Sequence, residues 1–463
     1  MRRRVGLALL TIVGASLAFA IISLAAVTPP AARSESAPAI AWPAGTEIAR
    51  LENLDGMVML RMTVRGAGGR DTSGLFVLDT GAGFLALDRE LATGLGIVDT
   101  AVAGRADAVD LATSPLPRMS LGNWSLDQVQ PVLTIDGSVI RRVTDRPVLG
   151  LLGQRPLEDR CVVLDYGEKT ATLVPMVRES EDTQVADEAA DDSSDADAAA
   201  RSRAAIGFAL SPGAVAVRFA LAGDGKILVR GRVADPRPPR WSRALNLLVD
   251  TGATKTVLFD EAVSGVIAHA GAWPTLRGLS APTLIGAAEA RLSMVPALEI
   301  AGIARRGRPR PAARVAGIDV GLIRSDLSGV LSRVTRTTIH GLLGYSFLKH
   351  FRVAIDYPHR VLWLDPIPHY RDERPYEYCH VGLELERRDG AAIVTGVAAG
   401  SPAARAGIRR EDELVALDGA PSRTLDLMDL ARRMEGPPGS TVTIVMRRGA
   451  VERTHRLVRR RLL

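Results

Sequence analysis

The sequence predicts a mainly β protein of two halves built on one plan, with a hydrophobic helix before them and a separate unit after them. Three observations predict it. Short apolar runs split by Gly, Pro and Asp recur through most of the 463 residues, and Gly (44) and Pro (27) are frequent, as a turn-rich β protein requires. The run Leu75-Phe76-Val77-Leu78 ends in Asp79-Thr80-Gly81-Ala82, and the run from Leu245 to Val249 ends in Asp250-Thr251-Gly252-Ala253. Each copy is followed downstream by Leu-Leu-Gly, at Leu151-Leu152-Gly153 and at Leu342-Leu343-Gly344.

Taken from the start, Met1-Arg2-Arg3-Arg4 precedes an uncharged apolar stretch from Val5 to Val27. That is long enough for a bilayer-spanning helix, which takes about 20 residues, and the arginines would stay on the cytoplasmic side. The rival is a cleaved signal peptide with a site at Ala18-Phe19-Ala20. Residues 1–27 are therefore expected as signal anchor or signal peptide. Either way the remainder is exported, as a protein anchored in the inner membrane and facing the periplasm or as a free periplasmic one. Residues 28–45, rich in Ala, Pro and Ser, are expected as a tether.

Residues 46–177 are expected as the first lobe. Met57 to Val64 alternates as a strand, Gly66 to Gly69 as a turn, and Asp88 to Gly96 as a short helix. Val162 to Tyr166 and Ala171 to Val174 read as a hairpin around Gly167-Glu168. Residues 178–204 are dense in Asp and Glu, with Ala and Ser, and are expected as a disordered acidic linker. The plan then repeats as a second lobe over 205–370, with extra residues between its Asp-Thr-Gly and its Leu-Leu-Gly. The basic, Pro-rich stretch Arg305 to Arg314 is the expected place for some of them.

Composition narrows the function. Lys and Arg number 58 against 52 Asp and Glu, and a net +6 over this length does not imply nucleic acid. Two distant cysteines, Cys161 and Cys379, exclude a disulfide framework and a four-cysteine zinc site. The seven histidines form no metal-ligand pattern and no phosphate-binding Gly-rich loop is visible, so no metal and no cofactor are expected.

Each Asp-Thr-Gly places a carboxylate at the buried end of a strand, where an ionised group is costly. Two such sites in a duplicated chain suggest that Asp79 and Asp250 meet. These motifs, with their Leu-Leu-Gly partners, resemble the pepsin and retropepsin class of aspartic proteases over roughly Ile48 to Pro368, and the Ala after Gly is closer to the bacterial retropepsin-like branch. The resemblance implies a bilobal acid-protease fold and an aspartic-type endopeptidase acting on protein or peptide substrates. Asp79 and Asp250 would be its catalytic dyad, Thr80 and Thr251 would brace the two loops, and Gly81 and Gly252 would allow close approach. It also implies a covering hairpin, for which Ala101 to Arg105 and Gly278 to Gly286 are the candidates. An inactive protease fold serving as a peptide-binding scaffold is the alternative, and lobes pairing between two chains would be a third arrangement.

From Tyr376 the pattern changes. Val381-Gly382-Leu383, Gly400-Ser401-Pro402-Ala403, Ala406-Gly407-Ile408, Asp418-Gly419 and a helix from Leu427 resemble a PDZ domain over 376–463. Such a domain adds a peptide as a strand and holds its terminal carboxylate on backbone amides. Val381, Gly382 and Leu383 would be the carboxylate loop, and the helix from Leu427 the groove wall. Arg459 to Arg461 are expected as a solvated end.

Overall fold

Strand β1 (Met57–Arg65) and strand β2 (Asp71–Leu78) form an antiparallel hairpin across the Gly66–Gly69 turn. Leu75 to Leu78 is buried on both faces, which is why it reads as a continuous apolar run rather than an alternating one. The computed structural model describes residues 42–463, apart from 55, 67, 97–100, 107–108, 115–117, 127–131, 177–191, 236–240, 265–266, 268–269, 284–285, 305–308 and 325. The expected N-terminal helix and the tether as far as residue 41 lie outside the described residues. Among the described residues no helix is long and apolar enough to cross a membrane.

The chain is mainly β. In lobe one, strand β3 (Ala86–Asp88) leads into a short helix, Arg89–Gly94, whose cap is the Asp88 carboxylate accepting the Leu91 N–H. The hairpin of β4 (Ala101–Ala106) and β5 (Val109–Ser114), strand β6 (Val132–Ile135), helix α1 (Ser138–Thr144) and strand β7 (Val148–Leu152) follow. Strand β7 lies parallel to β2, with Leu151 opposite Val77 and Leu152 opposite Leu78, and antiparallel to β3. Strand β6 runs parallel to β3.

Lobe two repeats this order. Its main strands are β8 (Lys226–Val233), β9 (Leu245–Val249), β10 (Thr256–Phe259), β11 (Thr275–Thr283), β12 (Gly286–Ala301), β13 (Ala312–Arg324) and, after helix α3 (Leu327–Thr335), β14 (Gly341–Leu343). Strand β14 lies parallel to β9, with Leu342 opposite Leu248, and antiparallel to β10, while β13 runs parallel to β10. The extra residues are taken up in the long β12–β13 hairpin, paired from Glu289 opposite Arg324 to Ala301 opposite Ala312; of the expected stretch Arg305 to Arg314, residues 305–308 lie outside the described residues.

The lobes join through a third sheet of six strands, three from each half. In order these are Glu47–Arg50, Thr170–Pro175, Arg160–Asp165, Phe351–Asp356, Val361–Pro366 and Val215–Arg218. Its middle pair, Arg160–Asp165 with Phe351–Asp356, is an antiparallel ladder between lobes. One chain therefore supplies both halves. The expected hairpin around Gly167-Glu168 is the lobe-one part of this sheet.

Two expectations are corrected. The acidic linker was expected as disordered through residue 204, yet helix α2 spans Asp192–Ala205. Ala196, Ala198, Ala199 and Ala200 favour a helix intrinsically. Ala198 and Ala199 are buried beside Trp363, whose indole N–H donates to the Ser202 hydroxyl at 2.9 Å. Residues 178–191 of that linker lie outside the described residues. Arg459 is not solvated either: it is buried, and its guanidinium donates to the carbonyls of Met434 and Thr441 at 3.0 and 2.6 Å, closing the C-terminal end of helix α4 (Leu427–Met434).

The C-terminal unit opens with strands β15 (Leu383–Arg388) and β16 (Ala391–Val397), continues through Glu413–Leu417 and α4, and closes with Thr441–Arg448 and Val451–Val458. It is tied to lobe two by Lys255, buried between Asp319 (2.9 Å) and Glu377, with the Tyr378 hydroxyl 3.0 Å away. Cys161 and Cys379 are both buried and free.

Candidate active site

The repeated strand order decides where the two aspartates go. Asp79 follows β2, and its N–H donates to the Leu152 carbonyl of β7 at 3.0 Å. Asp250 follows β9, and its N–H donates to Leu343 of β14 at 3.1 Å. The Leu-Leu-Gly segments are thus the parallel neighbours that pin each aspartate's backbone. Each loop then turns back on its own carboxylate. Asp79 Oδ1 accepts the N–H groups of Gly81 (2.9 Å) and Ala82 (3.1 Å), and Asp250 Oδ1 accepts those of Gly252 (3.0 Å) and Ala253 (3.1 Å).

The two loops are locked together by their threonines. The Thr80 hydroxyl donates to the Val249 carbonyl (2.9 Å) and accepts the Thr251 N–H (3.1 Å). The Thr251 hydroxyl donates to the Leu78 carbonyl (2.6 Å) and accepts the Thr80 N–H (3.2 Å). Gly81 has no room for a side chain: a Cβ there would sit 2.8 Å from Asp250 Oδ2 and 3.1 Å from Asp79 Oδ1. The separation of those two oxygens therefore cannot exceed the sum of the two distances.

Both aspartates are fully buried, at 0% exposure, so the carboxylates meet away from bulk water in this conformation. Burial first, and the neighbouring Asp79 second, push the Asp250 pKa well above the ordinary carboxylate value. The Gly252 and Ala253 N–H groups and Lys226 pull the other way without reversing it. Asp250 Oδ2 accepts no hydrogen bond among the described residues. The arrangement can hold one proton between two acids beside a polar atom that lacks a partner.

Sequence reasoning missed the turn that supplies Lys226. Lys226 is buried and paired with Asp224 at 2.8 Å. The Asp224-Gly225 turn of lobe two reaches lobe one, where a Cβ on Gly83 would lie 2.7 Å from Asp224 Oδ2 and one on Gly225 (φ +110) would strike Gln154. Gly56 (φ +94) makes the mirror-image reach into lobe two, and a Cβ there would lie 2.6 Å from Tyr345 and 2.9 Å from the Thr254 carbonyl. The signal was present, because Asp-Gly stands upstream of each Asp-Thr-Gly, at Asp55-Gly56 and at Asp224-Gly225.

The two candidate covering hairpins both exist as hairpins. Ala101 to Arg105 lies on β4, paired with β5, and Gly278 to Gly286 joins β11 to β12. In the C-terminal unit, Val381 and Leu383 are buried, and Gly382 (φ +88) donates its N–H to His380 Nδ1 at 3.0 Å. Burial lowers the His380 pKa to about 4, so the ring is neutral and its Nδ1 accepts. Among the described residues no group of His, Cys, Asp and Glu is arranged to hold a metal ion.

A family profile described as aspartyl protease matches residues 61–155, and one described as PDZ domain matches residues 393–448. The chain carries an aspartyl protease domain and a PDZ domain. The aspartyl protease match contains Asp79 and Leu151-Leu152-Gly153, and lobe two repeats its strand order around Asp250. Among known proteins, a probable CtpA-like serine protease of Staphylococcus aureus is 27% identical over 86 residues, 19% of this chain and 17% of the relative. The chain thus spans about a sixth of the length of the curated relatives it matches. A photosystem II D1 C-terminal processing protease is 30% identical over 18% of this chain and 23% of its own, with a TM-score of 0.17. The PDZ domain of a carboxy-terminal protease from Vibrio cholerae, solved with a peptide, is 23% identical over 18% of this chain and 94% of its own, also with a TM-score of 0.17.

Proposed function

We propose that the protein is an aspartic endopeptidase of the bilobal retropepsin-like kind, exported and held at the membrane by its N-terminal segment, with a PDZ domain that binds peptide. The observation that carries this reading is the cross-braced pair of Asp-Thr-Gly loops, with both carboxylates gathered on Gly81. The serine-protease names of the relatives belong to proteins matched over about a fifth of this chain.

Two acids held this close do not both ionise, because each negative charge disfavours the next. Asp250, with its raised pKa, keeps the proton and Asp79 is the anion. Asp79 takes a proton from a water as that water's oxygen bonds to the peptide carbonyl carbon. Asp250 gives its proton to the carbonyl oxygen, forming a neutral gem-diol. Collapse of the diol breaks the C–N bond, with one proton passing to the leaving amine, and restores the monoprotonated pair. Since both carboxylates are buried in this conformation, substrate entry requires the loops around them to open.

Asp79→Asn and Asp250→Asn are the test. Each single change is expected to lower peptide cleavage by roughly a hundredfold to ten-thousandfold, the usual scale for removing one acid–base partner. Cleavage surviving in both, or cleavage abolished by a serine-directed fluorophosphonate, would count against the reading, and absence of cleavage by the parent chain would leave the inactive peptide-binding scaffold in its place.

A further inference from the structure

The PDZ unit meets lobe one on the face where such domains take peptides. Strand β15 is an outer strand of the PDZ sheet, paired among the described residues with β16 alone, and α4 lies beside it. A peptide adds to such an edge between strand and helix. Here the space is taken: helix α1 of lobe one packs against both β15 and α4. Ile140 and Val143 of α1 are buried in one apolar cluster with Leu383 and Leu385 of β15 and Leu427 and Met428 of α4.

A carboxylate completes the contact. Asp145 ends α1 in the left-handed conformation (φ 53), which turns the chain toward the PDZ unit. Its Oδ2 accepts two N–H groups of Arg387, at 3.1 and 3.0 Å, and the N–H of Leu427, the first residue of α4, at 3.3 Å. Arg146 then pairs with Asp426, the cap of α4, at 2.9 Å. Apolar side chains set between the outer strand and the helix are what a bound peptide presents there, while the Asp145 acid is held at Arg387 and the start of α4 rather than on the Val381–Leu383 loop. The Gly382 amide, meanwhile, is spent on His380.

We infer that the PDZ groove holds residues 138–146 of lobe one as its resident ligand, so that an outside peptide binds only by displacing them. This deepens the peptide-binding half of the proposed function and does not depend on the aspartate dyad. The displaced segment is no loose strap. Val148 begins β7 just beyond it, and β7 carries the Leu152 carbonyl that holds the Asp79 backbone. A peptide arriving at the PDZ unit would therefore act on the strand that positions one catalytic acid.

The test uses the full chain in an Asp79→Asn background, so that the probe is not consumed. The probe is a fluorescein-labelled decapeptide ending in Val-Leu with a free carboxylate, and its amidated twin is the control, both read by fluorescence anisotropy. The parent is expected to bind weakly, and Ile140→Ser with Asp145→Ala is expected to tighten binding at least tenfold. Asp145→Asn alone keeps the apolar packing and folds even if the double variant does not. It is expected to tighten binding about threefold and to speed hydrogen exchange of the β15 amides. Equal binding by parent and variants would show an open groove and overturn the inference. So would the absence of binding in a variant whose thermal melt shows it folded.

Discussion

At the scale of single residues, Asp79 and Asp250 are each pulled between opposing influences. One oxygen of each aspartate is held by two backbone N–H groups, which favours the ionised form, while burial and the second acid disfavour it. For Asp250 the second influence wins, and two pH effects follow. Activity is expected where Asp250 keeps its proton and is lost as pH rises through its raised pKa, read as the alkaline limb of kcat/KM. Stability moves the same way: the folded acid holds its proton more tightly than an unfolded Asp, whose pKa is about 3.9, so Asp250 lowers stability as pH rises above that value. Lys226 modulates both. Lys226→Met is expected to move the alkaline limb upward, because it removes a cation that lowers the Asp250 pKa. It should also lower the Tm sharply, because Asp224 is left buried without its partner, a situation that costs roughly 3–5 kcal/mol. The threonines hold geometry rather than charge. Thr251→Val leaves the Leu78 carbonyl and the Thr80 N–H without their cross-lobe partner, and is expected to cost roughly 1–3 kcal/mol per group in urea unfolding.

At the scale of elements, local propensity and tertiary packing agree in most places and part company in α2. Its acidic, aromatic-free sequence reads as a solvated linker, but about four turns of alanine-rich helix find a buried site against Trp363. The Ser202 hydroxyl is the polar half of that site. Ser202→Ala leaves the indole N–H unpaired and is expected to destabilise the fold by roughly 1–3 kcal/mol in denaturant titration. Helix α4 shows the same dependence on distant residues. Its N-terminus is capped locally by Asp426, which accepts the Asp429 N–H, while its last carbonyls are satisfied by Arg459 from the far end of the unit. Three arginines in a row read as solvated charge, and only the path of the closing strand shows that the first turns inward.

At the scale of the whole molecule, the central six-stranded sheet makes two lobes one body, and the buried ion pairs fix the PDZ unit on it. Burial works against the Glu377 carboxylate, but Lys255, Arg374 and Lys349 outweigh it and hold its pKa well below normal. Because the lobes share a ladder, cutting the chain at a protease site engineered within 177–191 is expected to leave the two fragments together on size-exclusion chromatography. Separation after the cut would show the ladder too weak to hold them. The doubled Asp-Thr-Gly, the Leu-Leu-Gly partners and the hairpin around Gly167-Glu168 were legible in the sequence from local periodicity and turn chemistry, while the PDZ unit and the two covering hairpins were expected by resemblance. The threonine brace was expected only through resemblance. The Lys226 turn, the inward Arg459, the packing of α2 and the lodging of α1 in the PDZ groove were not legible, because each depends on a partner far away in the chain. By itself, then, the sequence determined most of the strands and turns and the doubling of Asp-Thr-Gly: short runs of residues set strand, turn and buried carboxylate. Only the tertiary structure decided that the acids share one glycine's space, and that lobe one occupies the groove of the PDZ unit, since both are contacts between surfaces that no local pattern encodes.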